Sequence, residues 1–463
     1  MTIALEFAKR INALKYEDFP DEAIGWAKVA VADTLGVTLA GSLEETARIP
    51  MRVLGAGTTS GTASGPSLIW GTAVRTAPLD AALINGVAAH ALDFDDCHDT
   101  LGGHPSAPLV PAALALGDGA AFTGRDFIEA FIAGYEMESR LASGVHFTHY
   151  IKGWHPTSSL GVFGAAAACG RLLKLDEERL ATALALCCSM SSGVKANFGT
   201  MTKPLHVGLV NRNGLFAALM AKEGFTASLE AFEHKQGYFE VYNGPGTYDA
   251  EKVLADWGKP LQILEPGVAI KQYPSCAATH SAADAILQLK RENDLKPEDI
   301  EKIESKTHEW RLKHTNRPDP KSALDAKFSV QYVMARALTD GHLKLEHFEG
   351  DAFNDPKVQA ILKRVESTAH NEDDDRFSAT VTVKTKDGRE LVQYLPRARG
   401  RGPAVALSKD ELRTKFVNCA SRVLPAGNVE KLYAACESLE SLKNLRDLTK
   451  LMETSAGAAR AAE

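Results

Sequence analysis

The segment GWHPTSSLGVFGAAAACG, residues 153–170, decides what kind of fold this chain adopts. After its proline the residues are nearly all small, and such a run favours a helix that packs closely against other helices in a large core. His155 stands directly before Pro156, and proline is welcome in a first helical turn but disfavours helix in the residue before it. The segment therefore predicts a buried helix with an imidazole at its entrance.

Helical periodicity extends outward from this segment, from about residue 4 to residue 260. One helix is marked by apolar residues at helical spacing over 127–135, preceded by Thr123 and Asp126 in a pattern typical of a capping box. Helical spacing returns over 408–451, where Ser408 and Glu411 form a second capping-box candidate. The sequence predicts a large all-helical domain composed of residues 1–265 and 396–455.

The sequence pattern changes after Pro266. Residues 302–310 and 377–398 alternate between polar and apolar as strands do, and Lys386-Asp387-Gly388 supplies a hairpin turn. We expect a smaller α+β domain over residues 266–395, and a disordered tail over 456–463, where the residues are small and polar. The predicted fold class is mainly α with a smaller α+β domain.

Composition excludes several classes of protein. The 463 residues are 45% hydrophobic with a net charge of -7 and no basic stripe, so a nucleic-acid partner is not expected. Charged residues interrupt the apolar ones throughout the N-terminus, and no run of about 18 apolar residues occurs, so we expect neither signal peptide nor membrane span. Seven cysteines without a C-x-x-C pair argue against a disulfide framework and a zinc knuckle, and favour the cytoplasm.

Four basic side chains occupy the same kind of position in the sequence, shortly before a proline. Like His155, the residues His104, Lys203 and Lys271 lie one to three positions before a proline, which predicts that each stands at the start of a helix. Helix N-termini offer unpaired N–H groups and suit a carboxylate or phosphate ligand. A histidine there is biased toward its neutral form and can transfer protons. For any one of the four, a plain surface helix start is the alternative.

The acidic counterpart is HALDFDDCHDTLGGHP, residues 90–105. Its carboxylates and imidazoles beyond residue 92 are Asp93, Asp95, Asp96, His98, Asp99 and His104. Oxygen and imidazole ligands together could hold a divalent metal ion, although neither a zinc-helix nor a calcium-loop spacing is present. A solvated acidic turn and a metal-free cluster that handles protons are the two other interpretations. In the last of these, Asp93 orients or charges a neighbouring cation.

Further candidates have two interpretations each. Tyr332 lies amid apolar helical neighbours, so it is a core tyrosine or a substrate contact. Cys276 and His280 are four residues apart on the helix expected after Pro274, so they share a face near a substrate or simply pack. Arg401 belongs to a basic run that contacts a substrate carboxylate or forms a solvated linker.

Six segments together resemble the MmgE/PrpD family. In order they are ALDFDDCHDTLGGHPSAPLVPAALALGD, GYEMESRLA, GWHPTSSLGVFGAAAACGRLL, NFGTMTKPLHVGLVNRNGLFAALMAKEGF, KQYPSCAATHSAADA and KFSVQYVMARALTDG. They span nearly the whole chain, and the D-F-D-D, W-H-P, K-P-L-H-x-G and K-x-Y-P-x-C motifs are more specific than any single residue. The family includes 2-methylcitrate dehydratase, cis-aconitate decarboxylase and iminodisuccinate epimerase.

The resemblance implies a helical domain, an α+β lid domain, a homodimer, and an active site between domains that works without metal or organic cofactor. It places catalytic residues at Asp93, His104, His155, Lys203, Lys271 and Tyr332. Two substrate-binding positions, Cys97 and Cys276, depart from the decarboxylase, which carries Thr and His there. Both departures argue against decarboxylation of cis-aconitate, and the cysteine at position 276 is similar to the dehydratase and epimerase branches. His280 and Arg401 are further expected substrate contacts.

The expected activity is a lyase that removes a proton next to a carboxylate of a small di- or tricarboxylic acid, foremost by dehydrating a citrate-like substrate. Lys203 or His155 is the expected base, His104 the acid and Asp93 the orienting group, while Lys203 and Lys271 stabilise the charge that develops on the carboxylate. The alternatives are an epimerase of a dicarboxylate, a cis-aconitate decarboxylase, a metal-dependent hydrolase and a non-catalytic binding protein.

Overall fold

The chain is described by a computed structural model over residues 2–56, 65–371 and 376–454, so the predicted tail 456–463 lies outside the described residues. The chain divides into two compact units. Unit 1 comprises Met1–Ile270 with Ser408–Glu463, and unit 2 comprises Lys271–Leu407. The sequence prediction placed these divisions after residue 265 and before residue 396.

The described residues form a mainly helical protein with one small mixed sheet, as the sequence predicted. The α-helices are α1 Ile3–Ala13, α2 Asp21–Gly41, α3 Glu45–Val53, α4 Pro78–His90, α5 Ser106–Gly117, α6 Gly124–Lys152, α7 Pro156–Ser159, α8 Gly161–Leu172, α9 Glu177–Met190, α10 Thr202–Lys222, α11 His280–Asn293, α12 Glu309–Thr315, α13 Ala323–Lys327, α14 Val330–Asp340, α15 Pro356–Leu362, α16 Lys409–Ala420, α17 Ala426–Glu437 and α18 Leu445–Thr449. The strands are β1 Ser67–Leu68, β2 Arg75–Thr76, β3 Ile300–His308, β4 Val365–His370, β5 Ala379–Thr385 and β6 Glu390–Leu395.

Unit 1 is built around the small-residue helix α8. All of its residues are buried except Arg171, as the run of Ala and Gly predicted. A Cβ on Gly164 would lie 3.0 Å from the carbonyl oxygen of Gly134 in α6, which shows how closely these two backbones approach. The capping box of Thr123 and Asp126 at the start of α6 is confirmed. Small residues thus let several helices share one core.

The C-terminal helices belong to unit 1. The capping box of Ser408 and Glu411 opens α16 as predicted. Lys415 of α16 lies 2.6 Å from Asp33 of α2, and both side chains are buried. Helix α2 is long and apolar enough to cross a membrane by length and composition, but 72% of its most apolar window is buried inside the protein. Its apolar surface is therefore accounted for by packing.

Unit 1 differs from an all-helical prediction in two respects. Strands β1 and β2 pair antiparallel as a short ribbon between α3 and α4. Between Lys222 and Ile270 the chain forms turns and two short π-helical turns instead of the long helices expected as far as residue 260. Periodicity alone did not distinguish these packed turns from helix.

Unit 2 combines a four-stranded sheet with helices α11 to α15. The strand order is β4-β3-β5-β6, in which β3 and β4 are parallel and the other neighbours antiparallel. The predicted hairpin turn joins β5 to β6, and Gly388 there has φ +88°, a conformation that glycine adopts without strain. Alternate residues of β5 are buried, and helices α11 and α14 contribute Ile286 and Val333 to the same core.

Candidate active site

Four helix ends of unit 1 bring the predicted groups together. His90 is the last residue of α4, and the segment after it carries Asp93 and Asp95. His104 precedes the N-cap of α5 by one residue. His155 is the N-cap of α7, and Lys203 is the second residue of α10. The placement of three basic residues at helix starts is thereby confirmed for His104, His155 and Lys203.

Close packing of α4 against α10 sets the ends of both helices side by side. A Cβ on Gly86 would lie 2.9 Å from the Cα of Gly208, and one on Gly208 would lie 2.4 Å from a methyl group of Val87. Only glycine permits such an approach without moving a neighbour. His90 follows Gly86 by one turn, and Lys203 precedes Gly208 by five residues. The two side chains therefore meet at one end of this helix pair.

Asp93 is the centre of the outer part of the cluster. Its Oδ1 lies 2.5 Å from Lys203 Nζ and 3.5 Å from His104 Nε2. The three side chains are 11–12% exposed, whereas those of His90 and Asp95 are 0% exposed. Asp93 has φ +52°, a left-handed conformation that a short polar side chain tolerates and that is common at functional sites. The outer groups can therefore meet a ligand.

Asp95 forms the inner part of the cluster with two imidazoles. Its Oδ2 lies 2.8 Å from His90 Nδ1 and 3.2 Å from His104 Nδ1. Burial opposes its ionisation, but the adjacent His104 and His90 hold the pKa of Asp95 well below its usual range. Burial lowers the pKa of His90 to about 4, against the opposing effect of Asp95. At neutral pH an ionised carboxylate thus faces a neutral His90.

His155 lies beside this cluster, in contact with the rings of His206 and Phe198. Its Nδ1 is 3.3 Å from His206 Nδ1, and its ring centroid is 4.9 Å from that of Phe198. Burial, reinforced by the charge of Lys203, holds the pKa of His155 well below its ordinary value. Burial also lowers the pKa of His206. The neutral imidazole of His155 can therefore accept a proton at neutral pH.

The loop from Asp93 to His104 is fastened at both ends. The N–H of His104 donates to Thr157 Oγ1 at 3.0 Å, which joins the two His-Pro helix starts. Lys415 of α16 donates to the carbonyl of Phe94 at 2.8 Å, so the C-terminal segment of unit 1 holds the other end of the loop. Such fastening keeps reactive groups in place without a ligand.

Helix α10 is also tied to α5, which carries His104 before its first turn. Asn211 Nδ2 donates to the carbonyl of Ala107 at 2.9 Å, and Asn211 Oδ1 accepts from the N–H of Ala112 at 2.8 Å. This one buried side chain therefore fixes the middle of α10 against the first half of α5.

A metal ion was one interpretation of the acidic stretch, and the ligand atoms of His90, Asp93, Asp95 and His104 all lie within 4.8 Å of one another. The ammonium of Lys203, however, lies 2.5 Å from Asp93 Oδ1, at the place where a cation bound by this carboxylate would be. Both imidazoles direct Nδ1 toward Asp95. The arrangement fits a built-in lysine cation better than a metal ion.

Cys97, the remaining predicted residue of unit 1, lies next to this cluster. Its Sγ is 3.9 Å from His104 Nδ1, and its N–H donates to the carbonyl of Ala269 at 2.7 Å. The thiol is partly exposed. It is therefore within reach of whatever His104 contacts.

The other predicted residues belong to unit 2. Lys271, the first residue of unit 2, is buried. It lies in an irregular segment six residues before the nearest helical turn, so the prediction that it stands at a helix start is wrong. Cys276 precedes that turn in extended conformation and His280 begins α11, so the two do not share a helix face. The chain bends after Tyr273, so α11 begins only at His280. His280 Nε2 lies 3.2 Å from the carbonyl oxygen of Ser275.

Tyr332 and Arg401 have structural surroundings within unit 2. Tyr332 is 0% exposed, and its hydroxyl donates to the carbonyl of His347 at 2.5 Å and accepts from Arg336. These contacts agree with the interpretation as a core tyrosine, and the role of Tyr332 toward a substrate stays a prediction. The guanidinium of Arg401 lies 2.9 Å from the centroid of the Phe377 ring, so the residue is packed instead of belonging to a solvated linker.

The sequence patterns did not indicate His90 or His206 as candidates, and they indicated Asp95 only as a member of the acidic cluster without a role of its own. His90 opens the quoted acidic stretch and ends a helix, and His206 follows Lys203 by three residues and so shares its face. These positions could have indicated both residues from the sequence. The apolar neighbours of His90, however, favoured the interpretation of this segment as a plain core helix.

Two family models match most of the chain. The model described as the MmgE/PrpD N-terminal domain matches residues 5–251, and the one described as the MmgE/PrpD C-terminal domain matches residues 273–441. The acidic stretch 90–105 and helix α10, which carries Lys203, both lie within the first match.

Curated relatives agree with these models. The cis-aconitate decarboxylase of Mus musculus is 31% identical over 98% of this chain and 93% of its own length. That of Homo sapiens is 31% identical over 98% of this chain and 95% of its own length. The mitochondrial 2-methylcitrate dehydratase of Yarrowia lipolytica is 24% identical over 79% of this chain and 74% of its own length.

Proposed function

Because this chain belongs to the MmgE/PrpD family, we propose that it is a lyase that removes a proton next to a carboxylate of a small di- or tricarboxylic acid. The observation that supports this most strongly is the outer cluster, where Asp93, Lys203 and His104 converge beside the neutral His155. A proton acceptor, a proton donor and a fixed cation are the groups that such chemistry requires.

The geometry favours His155 over Lys203 as the base. Lys203 is ion-paired with Asp93 at 2.5 Å and therefore carries its proton. His155 takes the proton from the carbon, and the electron pair of the C–H bond moves toward the adjacent carboxylate. The Lys203 ammonium stabilises the added negative charge. A hydroxyl on the β-carbon then leaves with its bonding pair as His104 protonates it, which gives water and an alkene.

Dehydration of a citrate-like acid is the finer proposal. The resemblance supports it, because Cys276 stands where the decarboxylase carries His, and a cysteine at that position is similar to the dehydratase and epimerase branches. Decarboxylation of cis-aconitate is the second candidate, because the two relatives at 31% identity bear that name. A homodimer and a cytoplasmic location complete the proposal.

The test uses the full chain with citrate, 2-methylcitrate, cis-aconitate and iminodisuccinate, with products identified by proton NMR. Alkene formation from a hydroxy acid, carbon dioxide loss and epimerisation give different spectra. We expect His155→Asn and Lys203→Met to lower kcat by about 10²–10⁴-fold. His234→Asn and Lys222→Met serve as controls, since both residues are exposed and lie away from the cluster. Unchanged turnover in both site variants would overturn the proposal.

A further inference from the structure

His90 and Asp95 form a buried layer that the proposed reaction does not use. Their side chains are 0% exposed, whereas those of Asp93, His104 and Lys203 in the outer cluster are 11–12% exposed. Neither side chain can therefore touch a substrate in this structure. Any role they have in the reaction must act through a neighbour.

The hydrogen-bond pattern fixes the proton positions on both imidazoles. An ionised carboxylate only accepts hydrogen bonds. Asp95 Oδ2 lies 2.8 Å from His90 Nδ1 and 3.2 Å from His104 Nδ1, so each ring carries a proton on Nδ1. The Nε2 atoms of both rings then face Asp93 Oδ1, at 4.0 Å for His90 and 3.5 Å for His104.

The environment of His90 Nε2 independently indicates that His90 does more than fill the core. This nitrogen is buried and has no hydrogen-bond partner among the described residues. A buried acceptor without a donor destabilises a fold, so packing alone does not explain an imidazole at this place. Its other nitrogen is the one that makes a contact, and that contact is to Asp95.

We propose that Asp95 is the positioning residue of His104, and that His90 holds Asp95 in the orientation that this requires. The inference rests on the proposed function, in which His104 donates a proton. Asp95 orients the ring so that Nε2 points toward the outer cluster, and its charge stabilises the imidazolium form that acts as the acid. His90 fastens the carboxylate from the opposite side.

Several titratable groups other than Asp95 also lie around His104. Asp93 and Cys97 lie on its own loop, His90 comes from α4, His155 from the start of α7, and Lys203 from α10. A change at Asp95 removes its carboxylate and leaves all of these groups in place. The pH dependence therefore reports on Asp95 specifically.

The first experiment compares Asp95→Asn, His90→Asn and His90→Leu with the wild type. Asn at position 90 can still donate from an amide close to the place of Nδ1, whereas Leu cannot. We expect D95N and H90L to lower kcat at least 10-fold with little change in KM, and H90N to retain most of it. The basic limb of the D95N pH profile should move to lower pH, because His104 loses the carboxylate that favours its protonated form. Asp80→Asn at the other end of α4 is the charge-matched control.

The second measurement does not depend on activity. Selective ¹⁵N-histidine labelling with long-range ¹H–¹⁵N spectra reads the tautomer of His90, assigned by its loss in H90N. A proton on Nδ1 is expected, and a proton on Nε2 would overturn the proposal even if D95N does not fold. If the wild type turns over and His104→Asn does not, yet D95N keeps the wild-type pH profile, this inference fails alone. If the wild type converts no polycarboxylate, the proposed function fails.

Discussion

Breaking the buried Asp93–Lys203 ion pair should lower both stability and activity, and the two losses can be separated. In Asp93→Asn the Lys203 ammonium loses the carboxylate 2.5 Å away. In Lys203→Met, Asp93 keeps His104 Nε2 at 3.5 Å. Removing one partner of a buried pair costs about 3–5 kcal/mol, and these side chains are 11–12% exposed, so the lower end applies.

We expect about 3 kcal/mol of destabilisation for D93N and about 2 kcal/mol for K203M, since His104 compensates in the second variant. The double variant D93N/K203M removes both the Asp93 carboxylate and the Lys203 ammonium, so neither charge is left buried without the other. A coupling of about 2 kcal/mol, within the range for contacting residues, sets its cost at about 3 kcal/mol instead of about 5. For the roughly 330 residues of unit 1, 3 kcal/mol corresponds to about 4 °C in melting temperature.

Differential scanning calorimetry of the four proteins at pH 7 measures these shifts, with Lys222→Met on the exposed end of α10 as the control. All three site variants should lose turnover whatever their stability. If the double variant melts at the temperature given by adding the two single shifts, the residues are not coupled. That result would refute the account of Lys203 as the cation paired with Asp93.

Three further predictions concern other parts of unit 1. Neither carboxylate oxygen of Glu138 has a partner among the described residues, and burial raises its pKa well above 4.5, so wild-type stability should fall by about 1.4 kcal/mol per pH unit above that value. Glu138→Gln should remove this slope and melt higher than the wild type at pH 8, and equal slopes would contradict the assignment. Gly86→Ala places a Cβ 2.5 Å from Asn211 Nδ2, so it should cost about 1–3 kcal/mol in urea unfolding and lower kcat, whereas Gly25→Ala, where nothing lies within 4 Å, should cost neither. Elemental analysis should find metal far below one equivalent, and dialysis against EDTA should leave kcat unchanged, while a stoichiometric metal would restore the metal-ligand interpretation of His90, Asp93, Asp95 and His104.

Local signals were strong enough to predict most of the fold. The capping residues Thr123 and Ser408 and the turn at Gly388 each act within a few residues, and each is where the sequence placed it. The ribbon of β1 and β2 was missed because each strand is only two residues long and shows no alternation. Turns after Lys222 keep an apolar spacing because they pack on the same core, and spacing alone does not report backbone conformation.

The site was predictable where the chain itself fixes the side chain. A proline after His104 and His155 placed both at helix starts, and Lys203 lies in a first turn for the same reason. Lys271 is not followed directly by a helix. The N–H of Cys276 beyond it donates to the carbonyl of Lys327, a contact between residues far apart in the sequence that local patterns do not reveal. The pairing of Asp93 with Lys203 joins residues far apart in the sequence, and it accompanies the close packing of α4 against α10 at Gly86 and Gly208.

Solvent deuterium incorporation tests the central claim of proton transfer at this cluster most directly. Cis-aconitate is incubated with the enzyme in deuterium oxide, and the product is analysed by NMR. Hydration and decarboxylation both leave one solvent-derived deuteron on a carbon next to a carboxylate, so we predict one deuteron for each turnover and none with His155→Asn. Product that forms without deuterium, or at an unchanged rate in the variant, would contradict the account.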